Sequence, residues 1–231
     1  MTHKSLFVTG TDTGVGKTLV SCALTRALVA RGARVAVMKP IASGSDPTPE
    51  GLRNSDALTL MAASNVSATY EAVNPYCFLP PSSPHIAASE AGVAIDLRLL
   101  RSRLDALARD ADCVVVEGAG GWHAPISDSA TMADLAAALD LPVLLVVGLR
   151  LGCLNHALLT HESLATRGVT FAGWVANAID PHFERPAENL ATLTARLGEP
   201  PLARIPFLDS PPGTIDLSEA ASRLCTGKLC A

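Results

Sequence analysis

Residues 7 to 18 read FVTGTDTGVGKT. The stretch joins an apolar strand to a glycine-rich turn, and Gly-Lys-Thr then opens the helical run TLVSCALTRALVARG. In that arrangement the backbone N–H groups of the turn and the helix N-terminus make a positive cradle for phosphate. Lys17 can reach the terminal phosphates and the Thr18 hydroxyl can ligate Mg²⁺. Gly14 and Gly16 give the backbone the freedom it needs. The common pattern places four residues between its first glycine and Gly-Lys-Ser/Thr; here Thr11 stands at that first position and Gly10 precedes it. Strand, Gly-Lys-Thr and helix in one unit argue for a variant phosphate loop over a plain turn with an exposed lysine.

The chain has 231 residues, 48% of them hydrophobic, enough for one sizeable core. The expectation is a single domain over 1–231. Apolar, β-branched runs recur at SLFVTG, RVAVMKP, CVVVEGAGG, PVLLVVG and FAGWVANA, with helix-length stretches between most of them. The fold class that follows is α/β: a single P-loop NTPase-type domain with a mostly parallel sheet covered by helices on both faces. Ile41 to Pro84, rich in Ser, Pro and Asn, reads as an irregular insertion over the active edge, apart from a short capped helix at 54–63. The tail after Pro206, with Pro211-Pro212-Gly213, reads as irregular until a short helix near Leu217 to Leu224.

A formal net charge of -4 provides no basic field for nucleic acid or an anionic membrane. The apolar run at 142–149 is too short to span a bilayer. Asp12 comes too early for a signal peptide, and six scattered cysteines with no CxxC pair suggest free thiols. A cytoplasmic protein without zinc is expected.

Ligands of an open parallel sheet bind at the carboxyl ends of its strands, so the residues there are the candidates. Glu117 ends CVVVE, where nucleotide-loop proteins carry a magnesium-associated acid; it could also simply pair with Lys17 or Lys39. The glycines after it, in Gly118-Ala119-Gly120-Gly121, allow close approach to a phosphate or substrate. Lys39 is either an ordinary strand-end lysine or a second cation for a substrate carboxylate or a migrating phosphoryl group. Asp56, in the first turn of its helix, is equally suited to the helix dipole. The Asn177 amide matches the N6 and N7 edge of adenine, and serves a turn equally well.

Seven segments, GTDTGVGKT, KPIASG, EGLRNSDA, NPYCFLPPSSPHIA, VEGAGGWHAPISD, VVGLRLGCLNHALLT and GWVAN, occur in this order. From Leu6 to Phe207 the chain resembles the dethiobiotin synthetases, ATP-dependent cyclo-ligases of biotin biosynthesis whose loop has the same GTDT-x-VGKT form. The resemblance implies ATP phosphates over Thr13, Gly14, Val15, Gly16, Lys17 and Thr18, close to Gly118, Ala119 and Gly120. It implies Mg²⁺ on Thr18, Asp56 and Glu117, and adenine at Asn177 with the backbone of Pro206, Phe207 and Leu208 nearby. Lys39 and Ser43 match positions facing the diamine and the reacting carboxylate. Gly152, Cys153, Leu154 and Asn155 match a helix start that, in the family's homodimer, takes the distal carboxylate of the substrate bound by the neighbouring chain. Gly14 stands where some members carry glutamate.

The implied reaction joins 7,8-diaminononanoate, CO2 (or bicarbonate) and ATP. It proceeds through a carbamate and a carbamic-phosphoric anhydride to dethiobiotin, ADP and phosphate. Such chemistry needs cations, which Lys17, Lys39 and Mg²⁺ would supply, and no protein nucleophile. The rival readings are a partitioning or septum-positioning switch ATPase, a cobyrinate-type amidotransferase and a small-molecule kinase. The first needs a membrane or DNA surface at odds with the acidic composition, and the second a glutaminase domain for which 231 residues leave no room. A kinase would yield a phosphorylated product instead of a cyclic urea.

Overall fold

Strands that are apolar at every position are stable only with both faces covered. The structure, a computed structural model, describes residues 5–208 and 216–226. β1 (Leu6–Gly10) leads through the glycine-rich loop into α1 (Lys17–Ala30) and on to β2 (Val35–Met38). The next stretch holds β3 (Ile41–Ser43), β4 (Asp46–Thr48), β5 (Gly51–Arg53), α2 (Ser55–Ala63), α3 (Tyr70–Val73), β6 (Tyr76–Phe78) and α4 (Pro84–Glu90). Then come α5 (Leu97–Ala108), β7 (Cys113–Glu117), α6 (Met132–Leu139), β8 (Val143–Leu149) and α7 (Cys153–Thr166). The chain continues through β9 (Phe171–Ala178), α8 (Pro186–Leu197), β10 (Ala203–Ile205) and α9 (Ser218–Thr226).

Six strands form one parallel sheet in the order β10-β9-β8-β1-β7-β2. Alternate residues of each strand face opposite layers. Phe7, Met38, Val114 and Val116 pack against Leu100 and Leu104 of α5 and Leu135 of α6. Beside them, Leu145, Val147 and Trp174 meet Ala157 of α7 and Leu193 of α8. On the other face Leu6, Val8, Val115 and Val146 meet Val20, Leu24 and Leu28 of α1, with Ala220 and Ala221 of α9 alongside. The sheet is thus a parallel layer between two helical layers, as the strand runs predict.

Three features differ from the sequence reading. β10 is a sixth sheet strand whose three residues are too short a run to stand out. The segment read as irregular folds into two small two-stranded sheets, β3-β6 and β4-β5, besides its helices. Its capped helix is found as α2, where Asn54 Oδ1 accepts from the N–H groups of Asp56 and Ala57. The tail helix begins at Ser218, while Pro211-Pro212-Gly213 lies outside the described residues. Cys22, Cys77 and Cys153 are free thiols.

At the start of β9 the pairing with β8 steps from Val143 opposite Phe171 to Leu144 opposite Gly173. Gly173 has φ +125°, and a Cβ there would lie 2.9 Å from Leu202 Cδ1. Gly173→Ala should therefore destabilise the chain by about 1–3 kcal/mol, read from the urea midpoint. Nucleotide affinity should be unchanged, because the phosphate loop lies at the opposite ends of the strands.

Candidate active site

The loop between β1 and α1 explains its own departure from the common pattern. A Cβ on Gly10 would meet Val15 Cγ2 at 2.6 Å and Lys17 Cγ at 3.2 Å, so the strand must end in glycine for the loop to fold back over it. Thr11 sits outside that contact and donates its N–H to Val146 O of β8 (3.0 Å). Gly16, at φ +91°, turns the chain into the helix against the Asn177 amide. That amide donates from Nδ2 to Val15 O (2.8 Å), so the end of β9 supports the loop from beneath.

The carboxyl ends of β2 and β7 and the first turn of α2 bring three charged side chains together below the loop. Lys39 Nζ lies 2.6 Å from Glu117 Oε1 and 3.1 Å from Asp56 Oδ2. Thr18 Oγ1 donates to the same Glu117 oxygen at 2.9 Å. Glu117 is fully buried and Lys39 3% exposed, whereas the Asp56 side chain is 42% exposed. Burial by itself would lower the Lys39 pKa, yet the charges of Glu117 and Asp56 outweigh it and raise the value, so the ammonium is retained. Burial likewise favours the neutral acid of Asp56, and Lys39 overrides it, holding the carboxyl below its ordinary range. Glu117 Oε2 is buried with no hydrogen-bond partner.

Lys17 is in a different state. Its Nζ donates to Asp12 O at 3.0 Å, and no carboxylate is paired with it among the described residues. Burial, and next the charge of Lys39, lower its pKa to about 8. A desolvated cation of this kind gains more from an incoming anion than an exposed lysine does. Asp12 organises the loop around it: Oδ1 accepts from Thr13 N (2.7 Å) and Oδ2 pairs with Arg150, at the end of β8.

These groups line one cavity of about 810 Å³. Of the residues singled out from sequence, Thr13, Gly14, Gly16, Lys17, Thr18, Lys39, Ser43, Asp56, Glu117, Ala119 and Gly120 border it. Val15 instead faces the core and Gly118 packs on the Phe7 ring. The hydroxyl of Ser43 is engaged with Ser82 O at 2.7 Å. Gly152 to Asn155 and Pro206 to Leu208 lie outside that lining. Gly152, at φ +93°, starts α7, and Leu151 beside it is 91% exposed. Sequence reasoning missed Asp12 and Arg150, which are 138 positions apart and carry no local signal of their pairing. It also missed the wall formed by Pro81 to Pro84, Ala124 and Pro125.

Two carboxylates, one of them with an unmatched buried oxygen, and a hydroxyl form a hard-oxygen donor set, which suits Mg²⁺. Together with the cradle, the site is equipped to bind a polyphosphate and neutralise charge; the lining contains no cysteine or histidine.

The AAA domain family AAA_26 matches residues 4–211. The ATP-dependent dethiobiotin synthetase BioD 1 of Escherichia coli (strain K12) is 52% identical over 209 residues, covering 90% of this chain and 93% of that one. The corresponding BioD of Xanthomonas euvesicatoria pv. vesicatoria (strain 85-10) is 50% identical over 207 residues, covering 90% and 92%. Among solved structures, the MinD cell division protein of Aquifex aeolicus superposes with a TM-score of 0.60 at 15% identity, covering 97% of this chain and 98% of that one. A ParA family ATPase from Chlorobium tepidum TLS gives 0.55 at 16% identity, covering 97% and 90%. At those identities the likeness establishes the P-loop NTPase fold alone. Half-identity to the synthetases runs through nearly the whole length of both chains, so this chain belongs to the dethiobiotin synthetase family.

Proposed function

We propose that the protein makes dethiobiotin from 7,8-diaminononanoate, CO2 and ATP. One amine adds to CO2 and loses a proton, giving a carbamate. A carbamate oxygen attacks the γ-phosphorus of ATP, and ADP leaves. The second amine attacks the carbamoyl carbon of the resulting carbamic-phosphoric anhydride. The C–O bond to phosphate breaks, and loss of a proton leaves the cyclic urea. The observation that carries this reading is the cluster of Lys17, Lys39, Asp56 and Glu117 in one cavity, with cations and oxyanion ligands present and no thiol or imidazole lining it.

Each residue has a separate task. The loop from Thr13 to Thr18 seats the phosphates, and Lys17 supports charge on the γ-phosphoryl group as it transfers. Lys39 keeps its proton and stabilises charge on the reacting carbamate, with Ser43 beside the diamine. Thr18, Asp56 and Glu117 would hold Mg²⁺, which when bound neutralises the β- and γ-phosphates. Asn177 has an N–H and a carbonyl oxygen beyond its bond to Val15 with which to contact adenine, and Pro206 to Leu208, which follow directly on Ile205, the residue paired with Asn177 across β10 and β9, would form the neighbouring wall. The start of α7, with Asn155, seats the distal carboxylate of the diamine bound by a partner chain, so the working unit is a homodimer. The reading includes a cytoplasmic location with no nucleic acid or membrane partner, which the net charge of -4 supports.

The direct test supplies ATP, Mg²⁺, bicarbonate and the diamine to purified protein and follows ADP and the cyclic urea. Equimolar formation is expected; a phosphorylated diamine, or diamine-independent ATP turnover, would overturn the reading. Glu117→Gln keeps the shape but removes a ligand charge. Activity should fall by about tenfold or more and recover in part at high Mg²⁺; a loss unaffected by Mg²⁺ would remove Glu117 from the ligand set. In mixed dimers of Lys17→Ala and Asn155→Ala chains, one site collects both defects and the other none. If both homodimers are inactive, random mixing should restore activity to about a quarter of wild type. Verified mixed dimers no more active than the parents would place both residues in one chain's own site.

A further inference from the structure

Lys39 and Asp56 reach the cavity from different elements: the end of β2 and the first turn of α2. Their backbones are joined by three buried polar residues: Asn54 (4% exposed), which itself borders the cavity, and Tyr70 (8%) and Asn74 (2%) behind it. On one side Asn54 accepts from the N–H groups of Asp56 and Ala57, and its Nδ2 donates to Gly44 O at 3.2 Å. On the other, Asn74 Nδ2 donates to Lys39 O at 2.6 Å and to Tyr76 O at 3.2 Å. The Tyr70 hydroxyl lies between them, accepting from Asn54 N (2.7 Å) and donating to Asn74 Oδ1 (2.9 Å).

The direction of each bond follows from the donors available. Both Asn74 amide hydrogens go to carbonyls, so its Oδ1 faces Tyr70 and can only accept. The phenol must then supply the proton, and its lone pair takes the Asn54 N–H. Burial, above all, raises the Tyr70 pKa, which keeps that proton in place. The Arg53 guanidinium lies 4.2 Å from the ring centroid. None of the lining of the cavity comes from Tyr70.

We infer that Tyr70 is a positioning residue: its hydroxyl joins Asn54 to Asn74 and thereby fixes Asp56 and Lys39 relative to each other. This rests on the reading of Asp56 as a metal ligand and of Lys39 as the cation for the carbamate. Without the hydroxyl, the Asn54 N–H and Asn74 Oδ1 lose their shared partner, so both arms are freed to shift. Groups that orient metal ligands typically alter metal affinity or activity by about 10–100-fold when removed.

The test compares full-length Tyr70→Phe with two other single variants. Tyr76→Phe also deletes a phenol that accepts a backbone N–H, from Asp96 at 2.9 Å, but lies outside the chain of bonds from Asn54 to Asn74 through side chains. Asp56→Asn sets the scale for losing the ligand charge. The readouts are Mn²⁺ affinity by electron paramagnetic resonance with a non-hydrolysable ATP analogue, the urea midpoint, and kcat and KM. Tyr70→Phe should weaken Mn²⁺ binding and lower kcat by about tenfold each, with the ATP KM held. Tyr76→Phe should lower only the urea midpoint. Mn²⁺ affinity and kcat within about twofold of wild type in folded Tyr70→Phe would make Tyr70 merely structural. Unchanged Mn²⁺ affinity in Asp56→Asn would instead remove the ligand reading itself, and this inference with it. Should Tyr70→Phe lack a cooperative urea transition, Asn74→Ala cuts the Lys39 arm: kcat should fall while Mn²⁺ affinity stays near wild type, and an unchanged kcat overturns the inference.

Discussion

The buried ion pair between Lys39 and Glu117 is the interaction around which the rest of the site is arranged. Each charge alone would carry a desolvation cost of several kcal/mol at the ends of two core strands, and removing one partner of such a pair costs about 3–5 kcal/mol. Because β2 and β7 are adjacent in the sheet, the pairing register of the strands itself brings the ammonium to the carboxylate. Thr18 and Asp56 then complete the coordination of both ions from α1 and α2. Lys17 is the exception, buried without a carboxylate partner among the described residues and so left electrostatically open toward the phosphate side.

Around that pair the protein uses neutral amides rather than more charge. Asn54, Asn74 and Asn177 are each buried, and each holds a backbone segment in the functional region. An amide can satisfy donors and acceptors together, so it fixes loop geometry without adding another charge to a site already crowded with them. Trp122 has a comparable mechanical role: its Nε1 donates to Ser163 of α7 at 3.0 Å, tying the glycine-rich segment after β7 to that helix.

Local signals in the chain account for much of this architecture. The five long apolar runs are sheet strands because their residues need cover on two sides, and Asn54 caps α2 as its place before Ser-Asp suggests. The loop, Lys39, Asp56 and Glu117 are legible because each follows or flanks a recognisable element. β10 was hidden because three residues carry too little periodicity, and the small sheets from 41 to 78 because Pro and Ser obscure alternation. The Asp12–Arg150 pair and the Tyr70 hydrogen bonds depend on long-range approach, which no spacing in the sequence encodes. For Asn177 and Glu117 the sequence left two uses open; in the structure Asn177 supports the loop and Glu117 pairs with Lys39, and neither contact precludes a ligand.

Asp12 has a consequence for how the chain can vary. Its three oxygens each hold a different group: the main-chain oxygen takes Lys17, Oδ1 takes the N–H of Thr13, and Oδ2 takes Arg150. Asparagine could keep the turn but would lose the ionic partner, and glutamate could reach the arginine but would carry its carboxylate one carbon beyond the turn. A residue that borders the cavity thus spends its oxygens on shaping the loop, and neither of its nearest chemical relatives could fill all three roles at once.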